Sequence, residues 1–285
     1  MNLTDRRTVQ ALMERHGFHT AKALGQNFLI NPAVCPRMAE ACSLDEYTGV
    51  LEIGPGIGVL TKELASRAAR VVAVELDTRL LPILEETVGD CDNLTVVQGD
   101  AMTMDLAALI AAQFAGLRVV VCANLPYYIT SPLLMRLLET RLPIDSITVM
   151  VQKEAAARLC AQPGTRASGA VTLAVHYYAR PEVLFPVSCG SFLPAPQVDS
   201  AVIQLHIRET PAVAVRDEAL LFRLVRAGFN QRRKTLVNAL AGAGWSKAEA
   251  AALLSRAGLP PAVRAEALTL EDFAALADAA GNGPG

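Results

Sequence analysis

The stretch Leu51-Glu52-Ile53-Gly54-Pro55-Gly56-Ile57-Gly58 decides how this chain is organised. Residues 50–53 have the apolar character of a buried strand, three alternate glycines mark a tight turn, and a helical pattern follows over about 60–67. The same alternation repeats downstream. A strand at 70–75 precedes a helix at 79–88, and further strands are expected at 94–97, 118–122 and 147–151. Strand then helix, repeated, predicts an α/β, Rossmann-like fold with a parallel sheet and helices on both faces. Two more runs, 183–187 and 200–207, flank the Pro-rich turn 192–198 and predict a pair of edge strands, one of them antiparallel. Beyond Arg208 the sequence becomes rich in Ala and Leu. Helices are expected at 220–239, 247–257 and 270–279, so residues 209–285 read as a small all-helical C-terminal domain after a sheet domain of 1–208.

Composition sets the outer limits. The 285 residues are 52% hydrophobic and 19% charged, which excludes a disordered chain. No apolar run approaches the ~18 residues of a membrane span, and the polar start carries no signal-peptide pattern. Six widely spaced cysteines form no C-x-x-C pair, and the four histidines lack metal-ligand spacing. These features predict a soluble cytoplasmic protein with reduced thiols, no metal and no membrane association. A net charge of −2 argues against a surface basic all over and leaves local basic faces open.

Ligands of an open parallel sheet bind beyond the carboxyl ends of its strands. The informative residues all fall there: the glycines after the first strand, Glu75 after the second, Asp100 after the third and Asn124 after the fourth. The third glycine of a dinucleotide fingerprint would stand at 59, which is Val59, and this excludes a dehydrogenase of that type. No Gly-Lys-Ser/Thr follows the loop, so a P-loop is absent. What remains is a close backbone approach with an acid about 20 residues on, suited to two ribose hydroxyls. Asp100 can accept a hydrogen bond from an adenine amino group. A nucleoside without pyrophosphate is implied, and S-adenosylmethionine is the common one.

Asn124-Leu125-Pro126-Tyr127 points to the chemistry. An adenine amine is a poor nucleophile because its lone pair is delocalised into the ring. Two acceptors aimed at its N–H bonds, the Asn124 oxygen and a carbonyl of the Leu125-Pro126 turn, can draw the nitrogen toward tetrahedral geometry. Tyr127 offers a flat face to an extruded base.

With these residues in view, the chain resembles the ribosomal RNA adenine dimethyltransferases, and within them the bacterial small-subunit branch linked to kasugamycin sensitivity. The matching strings include Lys22-Ala23-Leu24-Gly25-Gln26-Asn27-Phe28-Leu29, the glycine loop, Asn124 through Pro132, Phe192-Leu193-Pro194-Ala195-Pro196-Gln197-Val198-Asp199-Ser200 and Phe229-Asn230-Gln231-Arg232-Arg233-Lys234-Thr235-Leu236. The resemblance implies a seven-stranded S-adenosylmethionine-dependent methyltransferase sheet. It implies double methylation at N6 of two adjacent adenosines in a hairpin loop near the 3′ end of 16S rRNA, on an immature small subunit, with S-adenosylhomocysteine as product. By the same match, Asn27, Leu29, Gly54, Glu75, Asp100 and Asn124 bind the cofactor. Asn124, Leu125, Tyr127 and Phe192 form the catalytic group, with Tyr127 and Phe192 flanking the base. From its residues alone, Phe192 could equally be a core plug. The expected state is a monomer.

Between Arg223 and Lys234 lie five cations and no acid. At helical spacing Arg223, Arg226, Arg233 and Lys234 fall near one face and are expected to contact RNA phosphates, while Arg232 falls on the other. Two other functions compete: a large-subunit dimethyltransferase conferring macrolide resistance, and an assembly factor acting mainly by binding. The Gln231-Arg232-Arg233-Lys234-Thr235 string and Leu125 favour the small-subunit branch. The intact Asn124-to-Tyr127 motif disfavours a purely binding role.

Overall fold

The structure is a computed structural model that describes residues 1–20 and 25–281; residues 22–24 of the first matching string lie outside it. In chain order the strands are β1 (Phe28–Leu29), β2 (Thr48–Ile53), β3 (Arg70–Glu75), β4 (Leu94–Gln98), β5 (Arg118–Asn124), β6 (Ser146–Gln152), β7 (Ala179–Val187), β8 (Phe192–Leu193) and β9 (Ser200–Ile207). The helices are α1 (Arg6–Arg15), α2 (Val34–Ala41), α3 (Val59–Ala65), α4 (Leu81–Val88), α5 (Leu106–Gln113), α6 (Thr130–Glu139), α7 (Lys153–Leu159), α8 (Ala170–Tyr178), α9 (Glu218–Asn230), α10 (Leu236–Ala241), α11 (Lys247–Arg256) and α12 (Leu270–Gly281).

Seven strands form one sheet in the order β4-β3-β2-β5-β6-β9-β7. Strands β4 to β6 pair in parallel, and β9 enters antiparallel beside β6 with Ser200 opposite Gln152. The central strands are buried on both faces, which explains why β2, β5 and β6 read as near-continuous apolar runs. The chain order steps from β2 out to β3 and β4, then back across to β5. That reversal opens a crevice at the carboxyl ends of β2 and β5. The two-residue strands β1 and β8 pair separately, Phe28 with Leu193 and Leu29 with Phe192.

The chain divides into two compact units, and the division differs from the expected cut at 208. One unit comprises 1–156 and 182–207, the other 157–181 and 208–285. Helix α8 therefore belongs with the C-terminal helices: the Tyr177 and Tyr178 hydroxyls donate to the Glu218 carboxylate at 2.9 and 2.6 Å, and both rings pack on Phe222.

The expected helix 220–239 is broken. Helix α9 stops at Asn230, Gln231 leaves helical geometry with φ −127° and ψ 55°, and α10 restarts after the extended Thr235. The Lys234 amide closes the turn on the Gln231 carbonyl at 2.8 Å. Arg226 and Arg223 remain on the exposed face of α9, but Arg233 and Lys234 sit in the turn, so the single helical stripe expected for the four does not exist. Tertiary contacts override the helical pattern here. Gly228 lies so close to Ala265 and Leu236 that an added Cβ would approach them to 2.9 and 3.0 Å. A straight continuation of α9 would carry Leu236 away from that contact.

Candidate active site

The crevice is a cavity walled by the β2–α3 loop, the ends of β3 and β5, the loop after β4 and the segment 25–29. Gly54, Gly56 and Gly58 have φ of +70°, +62° and +87°, conformations that only glycine adopts without strain. A Cβ at Gly56 would stand 3.4 Å from Phe28, and one at Gly58 2.9 Å from Val88. The loop is thus a bare-backbone cradle pressed between the N-terminal segment and α4.

Glu75 ends β3 at 5% exposure. Its Oε2 accepts the Gly56 amide at 3.3 Å and its Oε1 accepts the Asp77 amide at 2.8 Å, so the carboxylate is aimed by two backbone donors. Burial raises its pKa, and those amides oppose the rise. Asp100 lines the cavity beyond β4, with Oδ1 accepting the Met102 amide at 2.8 Å.

The segment 25–31 is held over the cavity from two sides. Gln26 donates to Asp77 at 2.8 Å, and Arg79 beside Asp77 holds that carboxyl down to about 2. On the other side, the Ile30 amide donates to the Ser191 carbonyl at 2.8 Å and Asn31 to the Ser191 hydroxyl at 3.1 Å, extending the β1–β8 pair. Asn27 and Leu29 are thereby placed on the cavity wall.

Asn124 closes β5 opposite Met150 and lines the cavity, and among the described residues its side chain makes no hydrogen bond. In the following turn the Pro126 carbonyl is occupied by the Ile129 amide at 3.2 Å and the Thr130 hydroxyl at 3.3 Å. No donor among the described residues reaches the Leu125 carbonyl, so of the two carbonyls that sequence left open it is the one without a donor. The Leu125 side chain is core, and its amide donates to Met150 at 3.3 Å.

Tyr127 is half-buried, and its hydroxyl lies 2.7 Å from that of Ser200. The neighbouring Tyr128, 53% exposed, is the tyrosine on the cavity rim. Phe192 is 4% exposed and packs in the core with Leu29, Val34 and Val187. The plug reading describes its seat here, because pairing with Leu29 turns the ring inward.

Glu52 was not singled out by sequence. It lines the cavity at 1% exposure, its Oε2 has no partner, and burial pushes its carboxyl up to about 8, with Glu75 adding to the rise and the Thr61 hydroxyl opposing it. The available signal was an acid inside an otherwise apolar strand.

In the helical unit Arg166, Arg232, Arg233 and Arg264 surround a second cavity with Glu266. Arg232 is tied in place, donating to the Arg166 and Ser168 carbonyls at 2.8 and 3.2 Å and pairing with Glu266 at 3.4 Å. Arg233 and Arg264 are exposed beside it, and Arg223 lies 4.6 Å over the Trp245 ring. Arg166 and Arg264 are far from the basic run in sequence, so spacing along one segment could not find them.

A nucleoside cradle at the switch point of a parallel sheet, with paired acceptors beside it, defines a Rossmann-like methyltransferase that uses S-adenosylmethionine. The residues fit that cofactor: the cradle excludes side chains, Glu75 is aimed, and the orphaned Glu52 oxygen suits a cationic group. The chain belongs to the ribosomal RNA adenine dimethylase family, whose model matches residues 17–281. It is 47% identical over 284 residues to a ribosomal RNA small subunit methyltransferase A of Streptococcus pneumoniae (strain P1031), and 46% identical to that of Streptococcus sanguinis (strain SK36), covering 98% of each chain in both cases. Among solved structures, a dimethyladenosine transferase from Plasmodium falciparum superposes with a TM-score of 0.72 at 25% identity, over 87% of this chain and 95% of that one. The 23S rRNA methyltransferase ErmE gives 0.67 at 27%, over 89% and 99%.

Proposed function

We propose that this protein methylates N6 of two adjacent adenosines in a hairpin loop near the 3′ end of 16S rRNA, twice each, on an immature small subunit in the cytoplasm, acting as a monomer. The observation that carries this reading is the uncommitted Asn124 amide on the cavity wall, followed by an uncommitted Leu125 carbonyl. Small-subunit enzymes at 46–47% identity support it over the large-subunit reading, whose solved representative stands at 27%.

Asn27, Leu29, Gly54, Glu75, Asp100 and Asn124 would hold S-adenosylmethionine, with Glu75 on the ribose hydroxyls and Asp100 on the adenine amine. When bound, the cofactor supplies an electrophilic methyl group. Asn124 Oδ1 and the Leu125 carbonyl accept the two N–H bonds of the target amine and favour the charge that develops on nitrogen. Asn124 is neutral and takes no proton, so the proton leaves the cationic nitrogen for water. Tyr127, steadied by Ser200, and Phe192, once rotated out of its core seat, would flank the extruded base. Arg226, Arg233 and Lys234, with Arg223, would hold phosphates.

Replacing Asn124 with Ala should cost about 10²–10³ in single-turnover methyl transfer to under-methylated small subunits at saturating cofactor. RNA affinity should persist. A rate within a few-fold of the parent would remove Asn124 from the chemistry.

A further inference from the structure

Arg136 stands on α6, and its guanidinium reaches across to the loop that carries Asp100. Nη1 donates to the Met102 carbonyl at 2.5 Å and Nη2 to the Met104 carbonyl at 2.7 Å. That loop is already tightly wound. The Asp100 carbonyl accepts the Thr103 and Met104 amides at 3.0 and 2.9 Å, and its Oδ1 accepts the Met102 amide. The Met102 and Met104 carbonyls of the same loop receive the Arg136 fork. Among the described residues no carboxylate pairs with this guanidinium, and its Nε is buried without a partner. The charge is therefore spent on fixing the spacing of two carbonyls, which a rigid planar fork does and a single ammonium cannot.

The far end of the same helix leads to the catalytic turn. Thr130 opens α6, and its hydroxyl bonds the Pro126 carbonyl two residues beyond Asn124. Met102 and Asp100 line the cavity on one side and Asn124 on the other.

We propose that Arg136 is a positioning residue that sets the Asp100 carboxylate against the cofactor's adenine and thereby governs discrimination at its 6-amino group. This rests on the reading that Asp100 accepts a hydrogen bond from that amine. A carboxylate held there accepts from an amino group and repels the carbonyl of an inosine base. When the loop loses its clamp, Asp100 swings and the discrimination weakens, while Glu75 and the glycine cradle still grip ribose and the amino-acid end.

The test is calorimetric titration of the whole protein with S-adenosylhomocysteine and with S-inosylhomocysteine. The parent should prefer the adenosine compound, and Asp100→Ala should erase the preference. Arg136→Met should reduce the preference roughly tenfold by weakening the adenosine compound selectively, with Arg136→Lys intermediate because it restores one of two bonds. A merely structural role would weaken both compounds equally. If Arg136→Met retains the parent's preference while Asp100→Ala erases it, the proposal for Arg136 is wrong and the adenine reading stands. If Asp100→Ala keeps the preference, both fall. Should the Met variant fail to fold, Arg136→Lys decides on the same criterion: an unchanged preference overturns the proposal.

Discussion

Glu52 keeps a carboxyl group near the carboxyl end of β2 between the buried Leu51 and Ile53, and its neutral form is the one the folded chain favours. The groups facing it are Thr61 from α3, Glu75 from β3, Cys35 from α2 and Cys122 from β5, none of them cationic. An unfolded glutamate ionises near 4.5, the buried one near 8. Below the lower value both states are protonated and no difference arises. Between the two, unfolding releases a proton, so stability falls as pH rises and levels off above about 8. Glu52→Gln cannot ionise. Its stability relative to the parent should therefore climb by up to a few kcal/mol between pH 5 and pH 8, read from urea melts. An identical difference at both values would show that Glu52 is ionised in the folded chain. Glu75, Asp100 and Asn124 were legible because chemistry at strand ends follows from topology. Glu52 and Arg136 were not, since the partners that give them meaning stand on other elements.

The strands of the large sheet were the most legible elements: β3 and β9 match their expected limits and the other five differ by a few residues at their ends, whereas the two-residue strands β1 and β8 were not expected, β8 falling within the expected turn 192–198. Buried parallel strands leave an apolar signature that tertiary context rarely overturns. The α9–α10 region shows the opposite. An Ala- and Leu-rich run with helical spacing predicts one helix, yet the close approach at Gly228 and the Gln231 turn split it. The cations accordingly form a basic turn rather than a stripe. Replacing Arg226, Arg233 and Lys234 together should leave cofactor affinity intact. It should also flatten the dependence of log affinity for small subunits on log salt by ~0.7–0.9 for each phosphate no longer held. A parental salt slope would assign the three side chains to solvent. Arg232 was kept out of this set on helical geometry that does not apply. It stays out for a different reason: its guanidinium is engaged by the Arg166 and Ser168 carbonyls and by Glu266.

At the scale of the molecule, the second unit is assembled from two separated pieces of chain, and a single cut in the sequence cannot represent it. A composition change marks where a segment differs from its neighbour; it is blind to a helix that crosses over to pack elsewhere. A chain ended after Arg208 would lose Glu218, which accepts from the Tyr177 and Tyr178 hydroxyls, and Phe222, against which both rings pack; the two tyrosines are now 2% and 7% exposed. Uncovering such side chains forfeits on the order of 1.5–3 kcal/mol each. The shortened chain should be cleaved by protease within 157–181 far faster than the full one, and equal protection would count against the division. The pairing of β1 with β8 has a different reach. Asn31 and Ser191 are 160 positions apart, and the lip of the cofactor cavity is tied down by that contact. Because synthesis runs from the amino end, the cradle and Glu75 emerge long before the residues that fasten the lip. A nascent chain therefore holds an unfinished pocket until residue 193 is free to pair. Cofactor binding that depends on the fastened lip thus stabilises a chain that has already closed on itself.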